Sequence, residues 1–517
     1  MRQPTAVRST TWTPTAAAVA EPAVLVIDQG TTATAVCLVD RRGDIVAQAD
    51  QEFRQYYPQP GWVEHIPADI WASVQSGLQA VLQQTAGRYH PIALGITNQR
   101  ETTVLWERAT GKPLAPAIVW QDRRTAGACD ELRRSGAETM VRERTGLLLD
   151  PYFSATKIAW LLEAIPNARR RAESGELAVG TIDTWLIWQL TGGARHLTDR
   201  TNACRTLLYS LQSEGWDDEL CRLFKIPPAL LPTVVPSYSE AATTAASATA
   251  GLTVPICGIA GDQQAALFGQ TCLADGQAKN TYGTGCFLLV QTGERRVVSQ
   301  AHLLTTAAIG ADAAGAPMPT YALEGSVFVA GAAVQWLRDE LGLIATAADS
   351  ETVASAVPDS GGVYVVPAFT GLGAPYWDPY ARGAIVGLTR GSGRSAIVRA
   401  TLESIAYQTC DLVRAIGQDG VSLHALRVDG GASANNLLMQ TQADLLGIPI
   451  ERGVIGETTS LGAAFLAGIG GGLWSSTREL ANTWRLDRRF LPQITTAERA
   501  ARYAGWQRAV ERARGRR

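Results

Sequence analysis

The sequence has 517 residues, which exceeds the size of a single hydrophobic core and predicts two or more domains. Its formal net charge of -2 and its apolar fraction of 46% fit neither a nucleic-acid-binding protein nor a disordered chain. The 8 cysteines form no Cys-x-x-Cys pair and the 5 histidines lie far apart, so a structural zinc site and a disulfide framework are not expected. A reducing cytoplasm is the simplest compartment.

The N-terminal segment begins without any pattern of strand or helix. It carries Arg2 and Arg8, has no acid before position 21 and ends in an Ala-rich stretch, features that it shares with targeting peptides. Pro4 and Pro14 interrupt it and it lacks an apolar core, so we expect a disordered leader over residues 1–21. A run of about 18 apolar residues does not occur in the sequence, and a membrane-spanning helix is therefore not expected.

The next stretch predicts a β-hairpin with an acidic tip. A continuous apolar run leads to Asp28, and the turn Gln-Gly-Thr-Thr and a second apolar run follow. Gly30 allows the backbone to approach a ligand closely, and Thr31 and Thr32 place hydroxyls beside free N–H groups. Donors next to one carboxylate suit a phosphate with its Mg²⁺. An ordinary hairpin with a polar tip is the alternative.

Strand and helix signals then alternate through the first half of the chain. Arg100-Glu101 and Asp262 each follow a short apolar strand, so they are expected where strands end. The Ala/Thr/Ser-rich residues 241–251 predict a surface loop or spacer. Strands are predicted near residues 92–96, 104–106, 117–120 and 254–258, and helices over 123–145, 156–164, 184–190 and 265–269.

The second half repeats the opening plan. From Asn280 a strand, a Tyr-Gly-Thr-Gly turn and an apolar strand follow one another. The capping box formed by Thr495 and Glu498 predicts a C-terminal basic helix. Two α/β halves that open with related hairpins predict a ligand cleft between two domains. Further helices are predicted over 327–341 and 395–416, and strands over 362–367 and 426–428.

Several common nucleotide and hydrolase motifs are missing. Lys112 precedes a proline, so no Walker A sequence exists, and neither Gly-x-Gly-x-x-Gly after a strand nor Gly-x-Ser-x-Gly occurs. The remaining combination suits nucleotide phosphates held by backbone donors and a cation held by carboxylates. It consists of glycine turns and two acids that follow strands: Gly30, Gly283, Gly430-Gly431, Asp28 and Asp262.

Specific motifs carry a family resemblance that extends from near Ala23 to near Arg512. Through them the sequence resembles the glycerol kinases of the carbohydrate-kinase family, which have an actin/hexokinase-type fold. The resemblance implies an α/β fold with two duplicated actin-like/ribonuclease H-like domains and a ligand cleft between them. Residues 22–270 would carry most of the glycerol site, and residues 271–517, with a helical tail, most of the nucleotide site. The motifs are Asp28–Thr32, Gly95–Thr103, Asp150–Ser154, Gly258–Gln264, Tyr282–Gly285, Gly371–Asp378 and Asp429–Gly431.

The resemblance also implies an activity. It is the ATP-dependent phosphorylation of glycerol to sn-glycerol 3-phosphate by a cytoplasmic homo-oligomer, a dimer or tetramer, with Mg²⁺ as cofactor. Asp262 matches the family's catalytic base, and Asp28 matches its Mg²⁺-associated acid. The alternative for Asp262 is a helix N-cap. A kinase for another small polyol or ketose and a weakly active relative kept for binding or regulation are the competing functions.

Further positions match the family's ligand contacts. Arg100 and Glu101 offer a donor and an acceptor side by side, as a vicinal diol requires. The other positions implied for glycerol are Tyr152, Asp262, Gln263 and the aromatic walls Trp120 and Phe287. Those implied for the nucleotide are Thr31, Thr32, Thr284, Gly331, Gln335, Gly431 and Asn435.

The sequence departs from the family pattern in two loops. Ala33 replaces a hydroxyl residue, and Ala35 replaces an arginine that reaches the phosphates in relatives. Unless another arginine compensates, this predicts weaker ATP use or slower phosphoryl transfer than in typical relatives. Residues 248–253 lack the arginine of the loop that binds fructose 1,6-bisphosphate in some bacterial relatives. That regulation is therefore expected to be absent.

Overall fold

The computed structural model describes residues 20–312 and 315–514. The leader predicted for residues 1–21 lies outside the described residues except for its last two positions, and Glu21 already begins the first strand. In the described part of the chain no helix is long and apolar enough to cross a membrane.

The strands, in chain order, are β1 (Glu21–Gln29), β2 (Ala33–Asp40), β3 (Ile45–Glu52), β4 (Gln55–Tyr56), β5 (Glu64–His65), β6 (Tyr89–Asn98), β7 (Val104–Glu107), β8 (Ala117–Ile118), β9 (Leu177–Gly180), β10 (Leu197–Asp199), β11 (Tyr209–Ser210), β12 (Gly215–Trp216), β13 (Thr233–Val235), β14 (Tyr238–Thr243), β15 (Pro255–Gly261), β16 (Ala278–Tyr282), β17 (Cys286–Gly293), β18 (Leu304–Ala311), β19 (Pro317–Val327), β20 (Tyr364–Val366), β21 (Ala384–Val386), β22 (Leu426–Asp429), β23 (Ile450–Gly453) and β24 (Leu486–Phe490).

The helices are α1 (Pro67–Thr85), α2 (Ala126–Arg134), α3 (Glu138–Thr145), α4 (Ser154–Ala164), α5 (Ala168–Glu173), α6 (Ile182–Leu190), α7 (Arg200–Ala203), α8 (Asp218–Leu223), α9 (Asp262–Gly269), α10 (Gly331–Asp339), α11 (Asp349–Ser355), α12 (Arg394–Gln418), α13 (Asn436–Leu446), α14 (Thr458–Gly470), α15 (Thr477–Ala481) and α16 (Thr496–Ala513). Short 3-10 turns cover Pro228–Leu230, Ala246–Ala248 and Gly431–Ala434.

The two halves of the chain build sheets with the same plan. In the first, the strand order is β14-β15-β6-β1-β2-β3, and in the second it is β18-β19-β17-β16-β22-β23-β24. Each sheet opens with an antiparallel hairpin, β1–β2 or β16–β17, whose first strand also pairs in parallel with a later one, β6 or β22. The predicted duplication and both predicted hairpins are therefore confirmed.

Several element boundaries differ from the sequence predictions. The helix predicted over residues 123–145 is two helices, α2 and α3, because the chain turns at Gly136, where φ is 83°. The helix predicted from residue 327 begins at Gly331, since β19 continues to Val327. The predicted loop over residues 241–251 contains the end of β14 and a 3-10 turn. The predicted C-terminal helix is confirmed, and the Thr495 side chain caps it by accepting a hydrogen bond from the Glu498 N–H, whereas the Glu498 carboxylate accepts from Arg502.

Helix α14, although it comes late in the chain, packs on the first sheet. Small residues allow this close approach, since a Cβ at Gly95 would lie 2.4 Å from the Ala463 carbonyl oxygen. A Cβ at Gly462 would lie 1.8 Å from the carbonyl oxygen of Ala265 in α9. Helix α14 therefore packs against both the first sheet and α9, the helix that begins where β15 ends. In an α/β fold a ligand site is expected at this edge of the sheet.

Candidate active site

A cavity of about 1650 Å³ lies between the two halves and is lined by both. It brings together all of the positions predicted to contact glycerol and two of those predicted for the nucleotide. These residues are Arg100, Glu101, Trp120, Tyr152, Asp262, Gln263, Phe287, Thr31 and Thr284. Such convergence of polar and aromatic side chains in one cleft marks a candidate binding site.

Two parallel strands deliver the polar side chains of this site. β6 and β15 are neighbours, and Asn98 pairs in register with Gly261, so the residues that follow both strands meet at one edge. Glu101 has a left-handed φ of 61°, uncommon for a residue with a side chain. Its carbonyl oxygen is held by the hydroxyls of Thr103 and Ser154, each at 3.0 Å, which stabilise that conformation.

Asp262 is the first residue of α9, and Gly261 is the N-cap residue. The interpretation of Asp262 as an N-cap is therefore wrong. Its Oδ1 accepts a hydrogen bond from the adjacent Gln263 N–H at 2.7 Å and forms an ion pair with Arg100 Nε at 3.0 Å. With 30% of its side chain exposed, the carboxylate remains accessible from the cavity.

Behind the cavity lies a buried network of alternating charges that the sequence did not reveal. Glu324 of β19 accepts hydrogen bonds from both terminal nitrogens of Arg100, at 2.7 and 2.9 Å. Arg205 donates to the same carboxylate at 3.1 Å and, through Nε, to Glu101 at 2.6 Å. Burial raises the pKa of Glu101. Burial acts in the same direction on Glu324, but the guanidiniums of Arg100 and Arg205 outweigh it and lower the pKa of Glu324 to about 2.

Aromatic rings enclose the same space from both domains. The Trp120 ring meets that of Tyr152 edge-on at a centroid distance of 5.7 Å and that of Phe287 at 6.3 Å. Trp120 Nε1 also donates to the Thr31 hydroxyl at 2.9 Å. The walls can therefore pack against the carbons of a small polar ligand while the charged residues address its hydroxyls.

The turn predicted to hold phosphate in the second half is supported by α10. The Gly331 N–H donates to the Gly283 carbonyl oxygen at 3.0 Å, and a Cβ at Gly331 would lie 2.5 Å from that oxygen. Gly331 therefore packs behind the turn of Gly283 and Thr284. The Asn435 side chain caps α13 by accepting from the Leu438 N–H at 2.9 Å. The predicted nucleotide positions that are not among the lining residues of the cavity are Thr32, Gly331, Gln335, Gly431 and Asn435.

Asp28 is the penultimate residue of β1, lies outside the lining of the cavity and accepts a hydrogen bond from the Ser460 hydroxyl of α14 at 2.8 Å. Burial raises the pKa of Asp28 to about 7; the Ser460 bond opposes this rise, and the negative charges of Asp262 and Glu457 add to it. In the described ranges no three His, Cys, Asp or Glu side chains form a group that could hold a metal ion. Mg²⁺ commonly uses only one or two carboxylates together with waters and substrate phosphates, so Asp28 fits such a site.

Two like domains around a cleft are the architecture of actin-like sugar kinases. Residues 23–269 match the N-terminal domain, and residues 278–471 the C-terminal domain, of the FGGY family of carbohydrate kinases. The chain belongs to this family.

Individual relatives resemble the chain over almost its whole length. A glycerol kinase of Symbiobacterium thermophilum is 57% identical over 494 residues, covering 95% of this chain and 98% of that protein. A glycerol kinase of Aromatoleum aromaticum is 58% identical, covering 95% of this chain and 99% of that protein. The crystal structure of Plasmodium falciparum glycerol kinase with ADP matches with a TM-score of 0.90 at 37% identity, covering 96% of this chain and 99% of that one.

Proposed function

We propose that this protein transfers the γ-phosphoryl group of ATP to a terminal hydroxyl of glycerol and forms sn-glycerol 3-phosphate. The observation that carries the proposal is the accessible Asp262 carboxylate, which is ion-paired with Arg100 in a cavity with aromatic walls. The identity of 57–58% to glycerol kinases over 95% of the chain supports the same substrate.

Asp262 acts as the general base. Its Oδ1 is engaged by Arg100 and by the backbone of Gln263, so we assign Oδ2 to receive the proton of the attacking hydroxyl. The glycerol oxygen forms a bond to the γ-phosphorus, the bond from that phosphorus to the bridging oxygen breaks, and ADP leaves. Phosphoryl transfer needs mainly positioning and charge stabilisation from the protein.

The remaining lining residues hold glycerol. Arg100 and Tyr152 are placed to donate to its hydroxyls, and Glu101 to accept from them, because all three side chains line the cavity. Gln263 adds an amide on the same side, and its Oε1 is fixed by the buried Lys279 ammonium.

The nucleotide phosphates are assigned to the two duplicated turns. Thr31, Thr32 and Thr284 supply hydroxyls and backbone donors, and the positions on the second domain, Gly331, Gln335, Gly431 and Asn435, surround the rest of the nucleotide. Asp28 would hold Mg²⁺, which neutralises phosphate charge when bound.

A substrate panel tests the function. Purified protein with Mg-ATP is assayed for ADP release with glycerol, erythritol, dihydroxyacetone and xylulose. We expect the highest kcat/KM with glycerol. A higher value with xylulose or erythritol would instead identify a kinase for another polyol or ketose of the family.

We also propose that the protein works in the cytoplasm as a homo-oligomer, a dimer or tetramer. The support is its likeness to the glycerol kinases over almost the full chain. Size-exclusion chromatography with light scattering measures the assembly, and a monomer at micromolar concentration would contradict this part of the proposal.

A further inference from the structure

Glu324 is the one member of the buried charge network that comes from the second domain. It lies in β19 with a fully buried side chain, whereas Arg100, Arg205 and Glu101 belong to the first domain. Its two carboxylate oxygens face the two terminal nitrogens of Arg100 in a fork. Forked arginine–carboxylate pairs fix orientation as well as charge.

The hydrogen bonds of Arg100 show what this fork achieves. A guanidinium has five N–H donors. Nε is directed at Asp262, both terminal nitrogens at Glu324, and the second donor of Nη1 at Gln264 at 3.2 Å. The longest contact, 3.4 Å from Nη2 to the Tyr152 hydroxyl, points to a residue that also lines the cavity. A ligand hydroxyl can therefore most readily replace the Tyr152 hydroxyl as the acceptor of this Nη2–H.

The fork also determines how Arg100 addresses Asp262. The guanidinium is 2% exposed and has two carboxylates beside it, those of Glu324 and Asp262. A buried cation that lost Glu324 would turn its terminal nitrogens to the remaining carboxylate, because an unpaired buried charge is costly. The rotated guanidinium would then occupy Asp262 Oδ2, the oxygen assigned to receive the proton.

We propose that Glu324 is a positioning residue: from the second domain it holds Arg100 so that one N–H is offered to glycerol and Asp262 is contacted through Nε alone. The polar side chains of the glycerol pocket come from the first domain, and through Glu324 their arrangement depends on the second domain, which also contributes the wall residue Phe287. This inference rests on the proposed glycerol kinase activity. Its substrate contact is Arg100, and Glu324 acts through that residue.

The test combines Glu324→Gln with Arg100→Lys in a double-mutant cycle. Glu324→Gln keeps the shape of the side chain and removes its charge. Glu403→Gln is the matched control, since Glu403 is also a buried carboxylate of the second domain that is paired with an arginine, Arg399, at 2.8 Å. For each variant KM for glycerol, KM for ATP, kcat, glycerol binding by calorimetry and the thermal midpoint are measured.

We expect Glu324→Gln to raise KM for glycerol about tenfold or more and to lower kcat, with KM for ATP unchanged within about twofold. In the Arg100→Lys background, which cannot form the fork, the same substitution should add no more than about twofold. Glu403→Gln should leave KM for glycerol unchanged within about twofold, whatever its effect on the thermal midpoint.

The inference would be overturned if the effects of Glu324→Gln and Arg100→Lys on KM for glycerol multiplied in the double variant, as independent effects do. It would also be overturned if Glu403→Gln raised KM for glycerol as much as Glu324→Gln does. Should Glu324→Gln not fold, Glu324→Asp, which keeps the charge but shortens the side chain, enters the same cycle with the same criteria. A wild type that neither binds nor phosphorylates glycerol removes the proposed function and this inference together. An active wild type with an unaffected Glu324→Gln variant removes only the inference.

Discussion

Arg100 Nε lies 3.0 Å from Asp262 Oδ1, and the two residues come from neighbouring parallel strands that end side by side. The arginine is almost completely buried, whereas the carboxylate is 30% exposed. A buried cation thus orients an accessible carboxylate, and a general base must be within reach of the proton that it takes.

Asp262→Asn should lower kcat by a factor of about 100 to 10,000, because an amide cannot take the proton of the attacking hydroxyl. Glycerol binding, measured by calorimetry, should persist, since the asparagine oxygen can still accept from Arg100. Asp275→Asn, an exposed acid on the second domain, serves as the control. A variant with near-wild-type kcat would show that Asp262 is not the base.

Ala35→Arg should raise kcat/KM for ATP about tenfold or more, by adding a charge-assisted contact to phosphate. Ala35 lies directly opposite Asp28 in the β1–β2 hairpin, so the new side chain would leave the sheet on the same face as that acid. Ala35→Gln introduces a side chain that is long but uncharged, so it distinguishes the effect of the charge from that of side-chain size. Steady-state kinetics at varied ATP measure the effect, and an unchanged kcat/KM would refute it.

Phe287→Ala should raise KM for glycerol about tenfold, because it removes the wall that the second domain contributes opposite Trp120. KM for ATP should change much less. Phe287→Leu retains an apolar surface and should show a smaller effect. Equal increases in both KM values would indicate that the substitution disturbs the whole cleft and that Phe287 is not specifically a wall of the glycerol site.

His65→Phe should reduce the loss of stability in mild acid. Burial lowers the pKa of His65 to about 4, whereas an unfolded histidine titrates near about 6.5. Between these values the unfolded chain binds a proton that the folded chain does not, so stability is full above about pH 6.5 and falls as the pH drops toward about 4. The ring packs edge-on against Phe53, a contact that phenylalanine can retain.

The measurement for His65 is the thermal midpoint between about pH 7 and about pH 4.5. The wild-type curve should fall more steeply than that of His65→Phe. The variant should still lose some stability, since burial also lowers the pKa of His196 to about 4. Parallel curves for the two proteins would contradict the assignment to His65.

Local patterns were sufficient to predict the parts of the fold that depend on neighbours in sequence. The hairpin at Asp28 follows from two apolar runs around a Gly-containing turn, and the register confirms it. The positions of Arg100 and Asp262 at strand ends follow in the same way, because apolar strand segments precede both: β6 ends two positions before Arg100, and β15 ends directly before Asp262.

Contacts between distant segments could not be predicted. Glu324 lies within an 11-residue strand and meets Arg100 across 224 positions of sequence, so no local spacing announces the pair. Arg205 is 104 positions from Glu101, so no local pattern predicts that these two residues form an ion pair. The packing of α14 on the first sheet depends on small residues in three separate segments, which only the folded chain brings together.

Glycerol-dependent ADP release is the measurement that tests the account most directly. Wild-type protein, Mg-ATP and glycerol should release ADP and form sn-glycerol 3-phosphate in equal amounts, and Asp262→Asn should bring the rate close to the glycerol-free background. ADP release that does not respond to glycerol, or that survives in Asp262→Asn, would contradict the proposed activity and its assigned base.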